Sequence, residues 1–374
     1  MQNLSTSNSK KIFLSLITIF ILYSLTWSFL YFFKEMYEHP WGFGMYRGEN
    51  QLVNKQYPQT LDLLLIGDSR IQAAFNPILY PDYKIINITA SGGGPIEAYH
   101  IVKKFFQNKN KVKKVIISFA SYNYITDYAF IMKSVQYDTL TLLEALQVYW
   151  YALINDDLSS LKDVSSNDSS ADNKIKNEDS NKKKKFLTFD ILKDILLYKT
   201  KWPNYYQAEL INAQFFNRKN WNIKMTEDTV NKLGYNPYSR FKVNNNPSEE
   251  SKLKDFIPSK TISIYLQKII TLALQNSSNV IIEQVPWSRT SSNLIPDQYK
   301  KNYLNYLQDL QMKFPTLIVN NNEMIYEDDF LADHSHVTEG GTYFYSRYII
   351  ETYLPKDAKS QSPTTSSRLP SSGE

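Results

Sequence analysis

Cysteine is absent from all 374 residues, which excludes disulfide staples, a thiol nucleophile and thiolate metal sites. Histidine is scarce: His39, His100, His334 and His336 are the four, so any imidazole chemistry falls on them. The chain has no G-x-G-x-x-G and no G-K-[ST] ending, which leaves nucleotide binding without a phosphate cradle. It also has no H-E-x-x-H zinc helix and no G-x-S-x-G elbow of the α/β-hydrolase type. No cofactor is therefore expected. Charge of one sign is lacking too: 42 Lys and Arg against 37 Asp and Glu leave a net +5. Much of that excess sits in the run Lys182–Lys185, so a nucleic-acid partner is not expected.

What is present begins with a long apolar run. Residues 1–11 are polar and end in Lys10-Lys11, and Ile12 to Phe33 then gives 22 residues without a charge. That length suffices to cross a bilayer. Trp27, Phe29, Tyr31, Phe32 and Phe33 fill the place where small residues would prepare a signal-peptide cleavage site, so 12–33 reads as an uncleaved transmembrane anchor. The paired lysines ahead of the span predict a cytoplasmic N-terminus (1–11) and an extracytoplasmic body. Residues 34–60, rich in Tyr, Trp, Phe, Gly and Pro, read as a juxtamembrane connector.

Leu63-Leu64-Leu65-Ile66 followed by Gly67-Asp68-Ser69-Arg70 reads as a buried strand running into a tight turn. In an open α/β sheet, ligands bind at the carboxyl ends of the strands. A serine there, just before a helix, is placed for nucleophilic chemistry, although Gly-Asp-Ser is equally ordinary turn composition. Four further apolar runs predict strands at Lys84–Ile88, Lys114–Phe119, Asn279–Val285 and Thr316–Asn320. Helical patterns at Ile96–Gln107, Ser259–Gln275 and Pro296–Phe314 alternate with them, as in a parallel sheet wound on both sides. Near the end stand Asp333-His334-Ser335-His336, and Thr338 is a helix cap for the aromatic-rich run after it. A carboxylate that orients a histidine, which in turn deprotonates a serine, is the logic of a nucleophilic triad. Asp333, His334 and His336 are also acceptable metal donors by type.

Gly-Asp-Ser early and Asp-x-x-His late, in that order, resemble the SGNH (GDSL-type) hydrolase family over roughly Asp62 to Leu354. The resemblance implies a three-layer α/β/α fold with a five-stranded parallel, flavodoxin-like sheet. It makes Ser69 the nucleophile, His336 the general base and Asp333 the orienting acid. It also implies that a glycine of Ser91-Gly92-Gly93-Gly94 supplies an oxyanion N–H, Gly92 being the best match and Gly93 the next. The third family block, Gly-x-Asn, is altered: Ala120-Ser121-Tyr122-Asn123 lacks the glycine, and Asn123 is the candidate oxyanion donor out of register.

The catalytic domain is expected over 61–355. Within it, 156–185 collapses to Ser, Asn, Asp and Lys and reads as a disordered insertion. Helices are predicted at Thr139–Ala152 and Phe186–Leu197, and the irregular stretch from Trp202 to Phe256 is a candidate for shaping the cleft. The tail 356–374 reads as disordered. The activity implied is a membrane-anchored serine esterase or O-acyltransferase working on acyl esters. Its substrate would be a cell-envelope glycan, polymer or lipid, with a membrane-bound acyl-donor protein as the partner a transferase requires. The altered third block leaves open a noncatalytic binding or assembly component of an envelope machine.

Overall fold

The structure is a computed structural model that describes residues 3–89, 92–162, 180–242 and 246–354. Its centre is a five-stranded, wholly parallel sheet built from β1 (Leu61–Gly67), β2 (Ile85–Asn87), β3 (Val112–Ser118), β4 (Asn279–Ile282) and β6 (Leu317–Val319), in the order β2-β1-β3-β4-β6. A separate two-stranded pair joins β5 (Trp287–Ser288) to β7 (Ile325–Tyr326). Parallel sheets must be covered on both faces, which is why their strands read as unbroken aliphatic runs. Side chains alternate accordingly. Leu64, Ile66, Val115, Ile117, Val280 and Ile282 join one apolar cluster with helices Pro95–Gln107, Lys260–Asn276 and Asp297–Lys313. Leu63, Leu65, Ile116 and Ile281 join the other, with Ile71 of Ser69–Ala74 and Tyr345 and Ile349 of Glu339–Tyr353.

Helix starts follow capping chemistry. Thr141 and Glu144 form a reciprocal capping box ahead of Leu142–Ile154. The Ser259 side chain accepts from Ile262 N, and Thr338 accepts from Gly341 N, as its position predicts. Gly67 ends β1 because nothing larger fits: a Cβ there would lie 1.9 Å from the Ser118 carbonyl oxygen. β1 and β3 are thus pressed together where the chain turns towards Ser69.

The five strands match the expected runs to within a few residues, with β4 stopping at Ile282 instead of Val285. Three boundaries are corrected. Residues 34–60, expected as a connector without clear periodicity, contain regular structure. Lys34–Tyr37 and Met45–Asn54 are helical, and Tyr37, Glu38, Met45, Glu49, Leu52 and Val53 are buried. Amphipathic spacing in Met45–Asn54 was masked by its polar sequence. The insertion 156–185 is ordered at both ends: Leu158–Leu161 is a 3-10 turn with Leu158 and Leu161 buried, and a helix runs from Ser180 to Lys199. Its middle, 163–179, and the tail 356–374 lie outside the described residues. The stretch after Trp202 is largely helical, chiefly Phe215–Asn231, which packs on Met45–Asn54.

The first helix, Asn3–Phe32, is long and apolar enough from Asn8 onward to cross a membrane. It ends one residue before the expected Phe33.

Candidate active site

The order of the sheet creates the site. β1 connects to β2 on one side, whereas β3 lies on the other, so the loops leaving β1 and β3 part and open a crevice at their carboxyl ends. That crevice is a cleft of about 350 Å³ bordered by Asp68, Ser69 and Arg70 after β1 and by Ala120, Tyr122 and Asn123 after β3. Tyr128, Tyr238, Glu249 and Asp333 to His336 complete it.

Asp68 holds the two loops in place. It caps the Ser69–Ala74 helix by accepting from Arg70 N at 2.9 Å, while its other oxygen accepts from Ala120 N at 2.7 Å and from Asn123 Nδ2 at 2.6 Å. Burial lifts the Asp68 pKa, and the Arg70 charge and these three donors oppose the rise. The Arg70 side chain meets Glu250 through Nη1–Oε1 at 2.9 Å and Nη2–Oε2 at 3.0 Å, both groups being buried. Burial alone would raise the Glu250 pKa, but the adjacent guanidinium lowers it. Removing one member of a buried pair strands the other without a partner, a cost of about 3–5 kcal/mol. Glu250→Ala is therefore expected to lower thermal stability by that amount in a melting experiment. A midpoint equal to that of the parent would show the pair to be dispensable.

On the facing side, Asp333 to His336 form a tight turn closed by Ala332 N donating to the His336 carbonyl at 2.7 Å. Asp333 Oδ1 accepts from the backbone N–H of Ser335 and of His336, both at 2.7 Å. The same carboxylate faces His336 Nδ1 through Oδ2 at 3.0 Å. His336 Nε2 then lies 2.9 Å from Ser69 Oγ. Burial would raise the Asp333 pKa, yet the hydrogen bond and charge of His336 and the two N–H groups hold it well below the usual carboxylate range. The unit Ser69–His336–Asp333 has the connectivity required to remove a proton from a hydroxyl and return it to a leaving group. Both imidazole nitrogens face protein groups, and among the described residues no group of three or more His, Asp or Glu side chains is arranged to hold a metal.

Ser69, His336 and Asp333 are thus brought together from opposite ends of the chain. Asn123 borders the cleft with its amide donating to Asp68. Gly92 and Gly93 do not border it. Gly92 has φ +71°, which suits glycine, and faces the Lys133 side chain and the Tyr128 hydroxyl. Ala90 and Ser91 lie outside the described residues.

Three features of the site had no equivalent in the sequence reading. Tyr238 stacks on the His336 ring, centroids 4.4 Å apart and planes 10° from parallel. Its pKa is raised by burial and by the Asp333 carboxylate. Gln72, one turn after Ser69, donates to Glu49 Oε1 at 2.7 Å and to the Thr89 carbonyl at 3.2 Å, tying the Ser69–Ala74 helix to Met45–Asn54 and to the loop after β2. The third is the Arg70–Glu250 pair. None of the three carries a local signal; the bracing of both loops by Asp68 does, since an acidic residue directly ahead of a helix is an N-cap type. No family model matches this chain, and no curated protein matches it either.

Proposed function

We propose that the chain is a membrane-anchored serine esterase or O-acyltransferase on a three-layer α/β/α, SGNH-like fold. The observation that carries this reading is the relay from Asp333 through His336 to Ser69 Oγ, its last link 2.9 Å, inside a cleft. Ser69 Oγ attacks the carbonyl carbon of an acyl ester while its proton passes to His336 Nε2. The ester C–O bond breaks as that proton moves to the departing alkoxide, leaving an acyl-Ser69. Water, or the hydroxyl of an acceptor, then attacks this intermediate, gives its proton to His336 and releases the acyl group with Ser69 restored. The Ser69 N–H and the second N–H of the Asn123 amide, which border the cleft, are the proposed oxyanion donors. Asp333 holds the imidazole.

The apolar helix supports a membrane anchor, and Lys10-Lys11 ahead of it support a cytoplasmic N-terminus with the cleft outside. An acyl ester of an envelope glycan, polymer or lipid is the substrate class that such tethering favours. One observation favours the noncatalytic alternative, a binding or assembly component. Asn123 is engaged with Asp68, and neither Gly92 nor Gly93 borders the cleft, so the oxyanion donors are less complete than the proton relay.

A serine-directed fluorophosphonate probe separates the two. Covalent labelling of the full chain at Ser69, located by peptide mass and lost in His336→Ala, is the expected result. A folded protein that takes no label would remove the catalytic reading and leave the binding one.

A further inference from the structure

The apolar helix does not stand clear of the body. From Asn8 to Tyr23 every side chain is exposed, but from Ser24 the helix becomes partly buried. Tyr23 stacks edge-on against Trp202 at 5.5 Å, Trp27 Nε1 donates to the Thr200 carbonyl at 2.7 Å, and Phe29 meets Phe215 at 5.5 Å. Leu30 is fully buried with Tyr206. The apolar part that projects freely is therefore Ile12 to Leu22, which at 1.5 Å per residue is about 16 Å long. A bilayer's hydrocarbon core is about 30 Å thick. Tilting the helix only shortens its reach, and the shortfall is nearly half the core. Counting on to Phe32 restores about 31 Å, but one face of that last stretch, through Tyr23, Trp27, Phe29 and Leu30, lies against Trp202, Thr200, Phe215 and Tyr206, so the body goes with it into the bilayer.

The surface that would be carried into the bilayer is apolar. Trp202 and Leu196 are exposed, as are Ile211 and Phe216, at 73% and 80%. Exposed apolar residues scattered singly are ordinary. Three of them are continuous with the helix: Trp202 touches it directly, and Ile211 and Phe216 each follow a residue, Leu210 or Phe215, packed in the cluster around Leu30. Lys219 and Lys224 are exposed on the helix that carries Phe216, a mixture of aromatic and basic groups suited to the headgroup region.

We propose that Trp202, Ile211 and Phe216 form a collar around the apolar helix that inserts into the outer part of a lipid bilayer, seating the body in the membrane instead of on a tether above it. This rests on the reading of the apolar helix as a membrane span.

The absence of native cysteine makes single-cysteine labelling clean. Full-length Leu16→Cys, Ile211→Cys and Phe216→Cys variants carry an environment-sensitive fluorophore. Each is reconstituted into phosphatidylcholine vesicles with nitroxides either near the headgroups or at the acyl-chain ends. The expected result is loss of emission at Leu16 with the deep nitroxide and at Ile211 and Phe216 with the shallow one. Quenching at Leu16 with none at Ile211 or Phe216 would overturn the collar and leave the span standing. No quenching at Leu16 would overturn the span itself, and the collar with it.

Discussion

Ser69→Ala and His336→Ala are each expected to lower ester turnover by about 10⁵–10⁶-fold, and the double variant to fall no further. The equality follows from the relay. Without Ser69 Oγ there is nothing for Nε2 to deprotonate, and without Nε2 the hydroxyl keeps its proton. Each loss therefore removes the same step, and the second removal takes away nothing that still operates. Fold is not at issue in reading the result. Ser69 is only partly buried, and its side chain meets His336 across the cleft through one hydrogen bond, so melting temperatures close to the parent's are expected. Turnover of a small acyl ester by the full chain, with melting measured alongside, is the test. Single variants as active as the parent would mean that the hydrogen-bonded trio is structural and that the cleft binds without reacting. Strictly multiplicative losses would mean that the two residues act in separate steps.

The parts of this site that could be read from sequence were those whose signal is local. Leu63 to Ile66 announces a doubly covered strand because both faces are apolar, and Gly67-Asp68-Ser69 marks where it must stop. Asp333 and His336 lie three apart, close enough for one turn to join them whatever the rest of the chain does. The link from His336 to Ser69 spans 267 positions and depends on the sheet order. Local pattern does not give it; triad chemistry and the order of the two motifs, Gly-Asp-Ser early and Asp-x-x-His late, are what suggest it. Features built from pairs of unremarkable residues stayed hidden. Glu250 looks like one more surface acid until Arg70 meets it in the interior. Tyr238 sits in an irregular stretch held beside His336 by long-range links, among them the bridge of Ser239 to Thr338 and the Arg240–Glu339 ion pair. The helices within 34–60 escape sequence pattern for a different reason. A short helix that packs on another helix through Gly48, where a Cβ would lie 2.5 Å from Thr229, carries little apolar content of its own.

Asp333→Asn is expected to lower turnover by about 10⁴-fold while leaving the fold intact, a loss that isolates orientation from packing. The asparagine oxygen can still accept from the N–H groups of Ser335 and His336, so the turn closes as before. Its NH₂ would then face His336 Nδ1 as a donor. That obliges Nδ1 to be the unprotonated nitrogen and moves the ring proton to Nε2. Nε2–H would point at Ser69 Oγ and could not accept its proton. Asp333→Ala also loses the turn, leaving two backbone N–H groups without their acceptor at about 1–3 kcal/mol for each that remains buried. It should melt lower than the asparagine variant while being no more active. The acid limb gives an independent check. The native pKa of Asp333 is depressed below its unfolded value, so the stability it contributes is complete above the ordinary carboxylate range and is lost as pH falls through the lower native value. Parent and Asp333→Asn melting temperatures should therefore converge on acidification. Curves that stay parallel down to the lowest pH at which the protein folds would mean that the carboxylate's charge is not what His336 holds in place.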